Sequence, residues 1–143
     1  MMFAALVVAV LAACHVGPQI DQKNIGRQPQ GASVVVELTE KAQSKRIEHS
    51  GELLEVRDDG LVVLTEKDAQ NDSRIILIPW GKVYRARASD LPGIAVRTSQ
   101  GDSQRRASTD ELRNVSRFPQ GLSPELTDQL LTRYGQPTVD TVD

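Results

Sequence analysis

The 143-residue sequence contains little of the chemistry from which most active sites are built. It holds a single cysteine, Cys14, which excludes an intramolecular disulfide and a cysteine-based zinc site. Its two histidines, His15 and His49, lie in different segments, so the sequence predicts no metal site and no cofactor. It also lacks a glycine-rich phosphate loop and a Gly-x-Ser-x-Gly turn, and we therefore predict no catalytic residues.

Aromatic residues and net charge are also scarce. Only Trp80, Tyr84, Phe118 and Tyr134 are aromatic beyond the first thirteen residues, so we expect a core of valine, isoleucine and leucine. The formal net charge of −2 gives no signal for binding a polyanion such as nucleic acid. The length, with 39% hydrophobic and 25% charged residues, indicates one globular domain.

All 17 basic and 19 acidic residues follow Cys14, which leaves residues 1–13 as an uncharged, apolar block. Thirteen residues are too few to span a bilayer, which takes about 20. They match the length of the apolar region of a signal peptide. A buried N-terminal strand or helix is the alternative, although a small core seldom absorbs such a run at the end of a chain.

The block ends in Leu11-Ala12-Ala13-Cys14, which resembles the lipobox of bacterial lipoproteins. In that family a signal peptidase cleaves before the cysteine, whose thiol receives a diacylglycerol. The resemblance implies a signal peptide over 1–13, a lipid on Cys14 and anchoring in the cell envelope. In proteobacterial sorting an aspartate after the cysteine retains a lipoprotein at the inner membrane; His15 at that position implies the outer membrane, facing the periplasm. A free or buried thiol is the alternative for Cys14.

Residues 14–32 are polar and rich in glycine and proline, and we predict a lipidated cysteine followed by a flexible tether. Residues 33–98 then read as a β domain. Asp58-Asp59-Gly60 is a tight-turn sequence between two apolar runs and predicts a hairpin. Pro79-Trp80-Gly81 interrupts the later strands, because proline cannot donate to a sheet. The five predicted strands are 34–39, 51–57, 61–65, 74–78 and 82–88.

Five short strands with closely spaced turns predict a small antiparallel barrel, since closure leaves no exposed edge. The order and spacing over 33–88 resemble the small barrels of the Sm-like and Src-homology-like folds, in which a short helical turn precedes the fifth strand. Residues 78–83 stand where that turn would fall. Ile94-Ala95-Val96 reads as an edge strand or as a loop on the barrel. The resemblance implies a fold and hardly constrains function.

Two short helices are predicted after a loop over 99–107. Ser108 and Glu111 have capping-box spacing and would begin the first helix of a helical segment over 108–136. Ser123-Pro124 would begin the second helix, and Gly135 would end it. Residues 137–143 are expected to form a frayed tail. The predicted fold is thus mainly β, a five-stranded barrel followed by one or two helices.

Arginine is concentrated in the middle of the chain. Residues 82–117 hold eight basic and four acidic residues, and seven of the eight are arginine. The planar guanidinium pairs bidentately with phosphate and carboxylate, so the segment indicates a surface for lipid phosphates, envelope glycans or an acidic protein. The alternative is a solvated face that pairs with the acidic strands. The candidate residues are Arg85, Arg87, Arg97, Arg113 and Arg117.

Trp80 and Tyr84 are candidate binding aromatics, and core packing is their alternative role. Most carboxylates alternate with apolar residues along the predicted strands, which indicates a solvated face. The first hypothesis is therefore a non-catalytic envelope lipoprotein that binds or scaffolds a partner, with no small-molecule substrate indicated. A cytoplasmic Sm-like nucleic-acid-binding barrel is the second, although the charge balance argues against it. A small envelope hydrolase using His49 or surface carboxylates such as Asp58 is the third.

Overall fold

The computed structural model describes residues 30–143, so Cys14, the apolar block and most of the predicted tether lie outside the described residues. The fold is mainly β, with two helices after the first six strands, as predicted. The elements in chain order are β1 (Ser33–Ala42), β2 (Lys45–Val56), β3 (Gly60–Thr65), β4 (Ile75–Pro79), a 3₁₀ turn (Trp80–Lys82), β5 (Val83–Ala88), β6 (Ala95–Arg97), α1 (Asp102–Val115), α2 (Pro124–Tyr134) and β7 (Asp140–Thr141).

The strands form one seven-stranded sheet in the order β6-β5-β1-β2-β3-β4-β7. All neighbours are antiparallel except β4 and β7, which are parallel. The predicted closed five-stranded barrel is therefore wrong. Closure would pair β4 with β5, but β7 occupies the free edge of β4 and β6 occupies the free edge of β5. The two-residue strand β7 is too short for periodicity to reveal, whereas β6 is the edge strand considered at Ile94-Ala95-Val96.

The sheet is bent around its main core. Register shifts interrupt β1 next to Glu37 and β2 between Leu53 and Glu55, and such bulges bend strands. Strands β1 to β6 all contribute side chains to this cluster, and Leu112 of α1 joins them from the helix. Aliphatic residues dominate the cluster, as the scarcity of aromatic residues predicted.

A second cluster covers the other face of β3 and β4. Alternate residues on these strands point to opposite faces, so Val63 lies in the main core while Val62 lies in the second cluster. Helix α2 closes the second cluster with Leu130 and Leu131. Its predicted ends are confirmed: Ser123 Oγ accepts a hydrogen bond from the backbone of the first turn, and Gly135 has a positive φ of 65°.

Several predicted boundaries differ from the structure. Helix α1 begins at Asp102, so the predicted loop over 99–107 is largely helical and Ser108 lies inside the helix. The error arose because the first two turns carry no buried residue, which removes the apolar period from the sequence. The end of the predicted tether belongs to the fold: Ala32 is buried and its N–H donates to the Val115 carbonyl. The predicted frayed tail contains β7.

Strands β1 and β2 extend beyond the core as a polar hairpin. The predicted strands stop at 39 and start at 51, whereas the observed pairing continues to Ala42 and Lys45. The two residues between them, Gln43 and Ser44, both have positive φ, the geometry of a two-residue hairpin turn. The hairpin escaped prediction because its residues are mostly charged or polar.

Gln136 fastens strand β4 to the C-terminal segment. Its Oε1 accepts a hydrogen bond from the Ile75 N–H at 2.6 Å, and its Nε2 donates to the Ile75 carbonyl at 3.2 Å. Both residues are buried, so loss of the Gln136 amide would leave the N–H and the carbonyl of Ile75 buried without a hydrogen-bond partner. We expect Gln136→Ala to lower the free energy of unfolding by about 1–3 kcal/mol in urea titrations. Gln129→Ala, at an exposed position on α2, should change it little; equal effects of the two variants would refute the fastening role.

Candidate functional site

A cavity of about 500 Å³ lies between α1 and the sheet. The turn after β2, the 3₁₀ turn, the start of β5, the end of β6 and one face of α1 line it. We call this cavity the arginine cleft. Its lining residues are Arg57, Asp58, Trp80, Val83, Val96, Arg97, Thr98, Arg105, Arg106, Thr109, Asp110 and Arg113.

The apolar part of the cleft comes from the sheet side. Val83 and Val96 are almost fully buried members of the main core and also line the cavity. Trp80 is half-buried, packs against the same core, and donates from its indole Nε1 to the Arg57 carbonyl at 3.0 Å. Trp80 therefore packs on the core and also lines the cavity, and its binding role stays a prediction.

The helical wall of the cleft carries a repeated polar face. Arg105, Thr109 and Arg113 are four residues apart, and Arg106 and Asp110 form a second row beside them. Residues at this spacing share one face of a helix, and these five polar side chains therefore line the same cavity. Leu112, seven residues after Arg105 and three after Thr109, lies at the edge of this face and anchors the helix to the sheet.

Three of the five cleft arginines are paired with carboxylates. Arg57 Nε lies 2.6 Å from Glu55, Arg105 Nη2 lies 3.0 Å from Asp102, and Arg113 Nη1 lies 2.6 Å from Asp110. Asp58 is a more distant neighbour of Arg113, at 4.0 Å. These pairs hold the guanidinium groups in place and neutralise part of the charge.

Arg97 and Arg106 differ from the other three. Within residues 30–143, neither has a carboxylate oxygen inside 4.0 Å, and both are exposed at the cleft. Each guanidinium offers five N–H donors in a fixed fork. These two side chains are thus available to an anion that enters the cleft.

The structure separates the five arginines predicted as one surface. Arg97 and Arg113 line the cleft, whereas Arg85, Arg87 and Arg117 do not. Arg85 lies 3.9 Å from Glu37 on the neighbouring strand, and Arg117 lies 3.5 Å from Glu52. Arg85 and Arg117 therefore match the alternative considered above, in which arginines pair with acidic residues of the strands.

Trp80 and Tyr84 are not brought to a common groove. Tyr84 is the exposed large hydrophobic residue among the described residues, and it does not line the cleft. The Arg46 guanidinium covers its ring, 3.4 Å from the ring centroid. This cation–π contact ties the polar β1–β2 hairpin to β5.

The residues considered for hydrolysis lie in different places. Asp58 lines the cleft, while His49 lies on β2 opposite Val36. Burial lowers the pKa of His49, because an apolar environment disfavours the charged imidazolium. Among residues 30–143 there is no group of three histidine, cysteine or acidic residues arranged to hold a metal ion.

Arg57, Arg105 and Arg106 are cleft residues that the sequence did not single out as candidates. A four-residue spacing links Arg105 and Arg106 to Thr109, Asp110 and Arg113, and it would have placed them on one face had the helix been predicted from Asp102. Arg57 has no such signal, since it reaches the cleft only because β2 ends there.

A second, shallower hollow adjoins the cleft and shares Arg57, Asp58 and Arg113 with it. Glu55 lines this hollow, and its carboxylate accepts a hydrogen bond from the Leu122 N–H at 3.2 Å. Gly121 is in the same segment, and a Cβ there would lie 3.2 Å from Glu55. The hollow is therefore built around a structural carboxylate, unlike the arginine cleft.

Comparison of the chain with protein-family models, curated proteins and solved structures finds no match. The lipobox resemblance thus stays a prediction, and the comparisons add nothing to the small-barrel resemblance, whose closed barrel the strand order excludes. In the part of the chain that the structure describes, no helix is both long enough and apolar enough to cross a membrane.

Proposed function

We propose that the chain is a lipid-anchored, non-catalytic binding module of the cell envelope, whose folded domain binds an anionic partner in the arginine cleft. The observation that carries the proposal is the pair Arg97 and Arg106, which face a defined cavity without carboxylate partners among the described residues. A volume of about 500 Å³ lies within the range of small-ligand sites.

The electrostatics of the cleft favour a negative ligand. Five arginines and two aspartates line the cavity, although the chain as a whole carries a charge of −2. Positive charge concentrated in a concave, partly apolar site raises the local concentration of anions. Charge-assisted hydrogen bonds from guanidinium groups are among the stronger polar contacts in proteins.

The proposal makes no use of catalysis. Arginine, aspartate and threonine provide the polar lining of the cleft, and in residues 30–143 no histidine or serine side chain lines it. Guanidinium groups stay protonated at all accessible pH values, so they bind and orient an anion rather than exchange protons with it. Holding a charged partner is the task that this lining performs best.

The lipid anchor rests on the lipobox sequence Leu11-Ala12-Ala13-Cys14. Residues 15–29 separate Cys14 from the described domain, and a segment of that length reaches at most roughly 50 Å when extended. The domain would therefore work close to the membrane that holds the lipid. His15 after the cysteine favours the outer membrane, facing the periplasm.

Pyrophosphate is a suitable probe of anion binding, and Trp80 is a built-in reporter because it is the only tryptophan and lines the cleft. We expect pyrophosphate to change the fluorescence of the full-length Cys14→Ser chain in a saturable manner. Added NaCl should weaken binding through screening. Arg97→Gln with Arg106→Gln should weaken it about 10- to 100-fold, the effect of losing charged hydrogen bonds.

Lys45→Gln with Arg133→Gln is the matched control, since the pair removes the same two positive charges from exposed positions on β2 and α2 outside the cleft. It should leave the pyrophosphate affinity nearly unchanged. Equal losses in the control and in the cleft variant would mean that net charge, not the cleft, governs binding. Absence of binding by the unsubstituted cleft would overturn the proposal.

A further inference from the structure

We infer that the ligand of the arginine cleft is a small amphipathic anion, with a phosphate or carboxylate head group and an apolar body. This inference rests on the proposed function, because it specifies what the cleft binds. It follows from the lining of the cavity, which combines an apolar floor on the sheet side with a cationic rim of guanidinium groups from both the sheet and the helix.

The floor is suited to the apolar body. Trp80 presents a half-buried aromatic ring, whose N–H is already hydrogen-bonded to the Arg57 carbonyl, above the almost fully buried side chains of Val83 and Val96. The floor therefore offers no unsatisfied indole donor to a polar group. A bare inorganic anion would leave this apolar surface in contact with water, whereas an alkyl or aryl group would cover it.

The rim is suited to one head group. Arg106 is on α1 and Arg97 ends β6, so the two unpaired guanidinium groups come from opposite sides of the cleft. A head group with several oxygen atoms can accept hydrogen bonds from both. Within the described residues neither Arg97 nor Arg106 is paired with a carboxylate, so neither has to break an ion pair to bind the head group.

Carboxylates at the rim argue against a long polyanion. Asp58 and Asp110 are exposed and line the same cavity as the arginines. A nucleic-acid strand or acidic polymer that crosses the cleft would bring phosphate or carboxylate groups close to these two aspartates. A single head group between Arg97 and Arg106 avoids that repulsion.

Methyl phosphate and hexyl phosphate form a matched pair of probes, because they carry the same head group and differ in apolar length. We expect the full-length Cys14→Ser chain to bind hexyl phosphate on the order of 30-fold more tightly than methyl phosphate, with butyl phosphate between them. Titration calorimetry and Trp80 fluorescence measure these affinities. Hexanol should bind far more weakly than hexyl phosphate, since it lacks the charged head group.

Two variants locate the binding. Arg97→Gln with Arg106→Gln should weaken both phosphates about 10-fold or more, because both probes use the rim. Trp80→Ala, followed by calorimetry, removes the accessible apolar surface of the floor and should weaken hexyl phosphate several-fold while leaving methyl phosphate nearly unchanged. The chain-length series on the unsubstituted cleft tests the same inference if Trp80→Ala does not fold.

The outcomes separate the inference from the proposed function. Equal affinities for methyl and hexyl phosphate would overturn the amphipathic ligand and leave anion binding in place. Failure of all phosphates, pyrophosphate included, would overturn the proposed function itself. A preference for hexyl phosphate that survives loss of both arginines would place binding elsewhere, and tighter binding of poly(U) RNA would favour a polyanion; either result overturns the inference.

A free metabolite and a membrane lipid could both supply this chemistry. Competition between hexyl phosphate and phosphatidylglycerol vesicles distinguishes the two sources at the same cleft. Displacement of hexyl phosphate by the vesicles supports a lipid head group with its acyl chain. Continued binding of hexyl phosphate in their presence supports a free amphipathic anion.

Discussion

Replacement of Leu112 by alanine should lower the free energy of unfolding by about 2–5 kcal/mol, because it removes a fully buried side chain and leaves a cavity. Leu112 is the residue by which α1 joins the main core. Only one other side chain of α1, Val115, is buried, and it packs in a separate small cluster with Ala32 and Ala88. The helix therefore has few alternative apolar contacts to compensate for the loss.

The same substitution should damage the arginine cleft. Helix α1 carries Arg105, Arg106 and Arg113, and it packs against β2 and β6. Beyond Leu112, the helix is connected to the sheet region by a hydrogen bond from Ala32 to Val115 and by a long contact from Arg113 Nε to the Val56 carbonyl. We expect Leu112→Ala to weaken pyrophosphate binding even under conditions in which the domain stays folded.

Urea titrations followed by circular dichroism and by Trp80 fluorescence measure this effect. Leu112→Met conserves volume and should cost less than about 1.5 kcal/mol. Asn114→Ala, at an exposed position on the same helix, should have little effect. A loss below 1 kcal/mol for Leu112→Ala, equal to that of the Asn114 control, would contradict the packing of α1 described above.

Substitution of Cys14 by serine should abolish lipid attachment altogether. If the lipobox is functional, growth with a radiolabelled fatty acid will label the wild-type chain in a bacterial host. Cys14→Ser should take up no label, because serine lacks the thiol that forms the thioether to diacylglycerol. The loss is complete rather than partial, since the chain has no second cysteine.

His15→Asp is the matched control for the anchor. It leaves Cys14 in place and should retain the label, while in a proteobacterial host it should move the chain from the outer to the inner membrane fraction. A wild-type chain without label would refute the lipoprotein hypothesis. Label on Cys14→Ser equal to that on the wild type would show attachment at another residue.

Local signals in the sequence predicted the elements whose contacts are local. The turn at Asp58-Asp59, the break after β4 at Pro79 and both ends of α2 follow from local turn, strand-breaking and capping signals, while the helical turn at Trp80 was implied by the small-barrel resemblance. Gly60 itself has no positive φ and begins β3. The mainly aliphatic core follows from composition. These features need no knowledge of distant residues, which is why they were predictable.

Non-local contacts decided the features that the sequence missed. The two-residue strand β7 forms by pairing with the outer edge of β4. Gln136, just before it, hydrogen-bonds to Ile75, which is 61 residues away along the chain. The first turns of α1 have no buried side chain and so no periodic signal. Because β6 pairs with β5 and β7 pairs with β4, the strands form an open seven-stranded sheet instead of the predicted closed barrel.

The arginine cleft shows the same division. The sequence by itself determined that arginine is concentrated within 82–117 and that a single tryptophan lies before β5. Only the tertiary structure decided which arginines face a cavity, and it paired Arg85 and Arg117 with Glu37 and Glu52 of distant strands. The paired arginines of the cleft, in contrast, have carboxylate partners two or three residues away in the sequence. Ion pairing depends on distances between side chains in space, and the linear order of residues does not contain those distances.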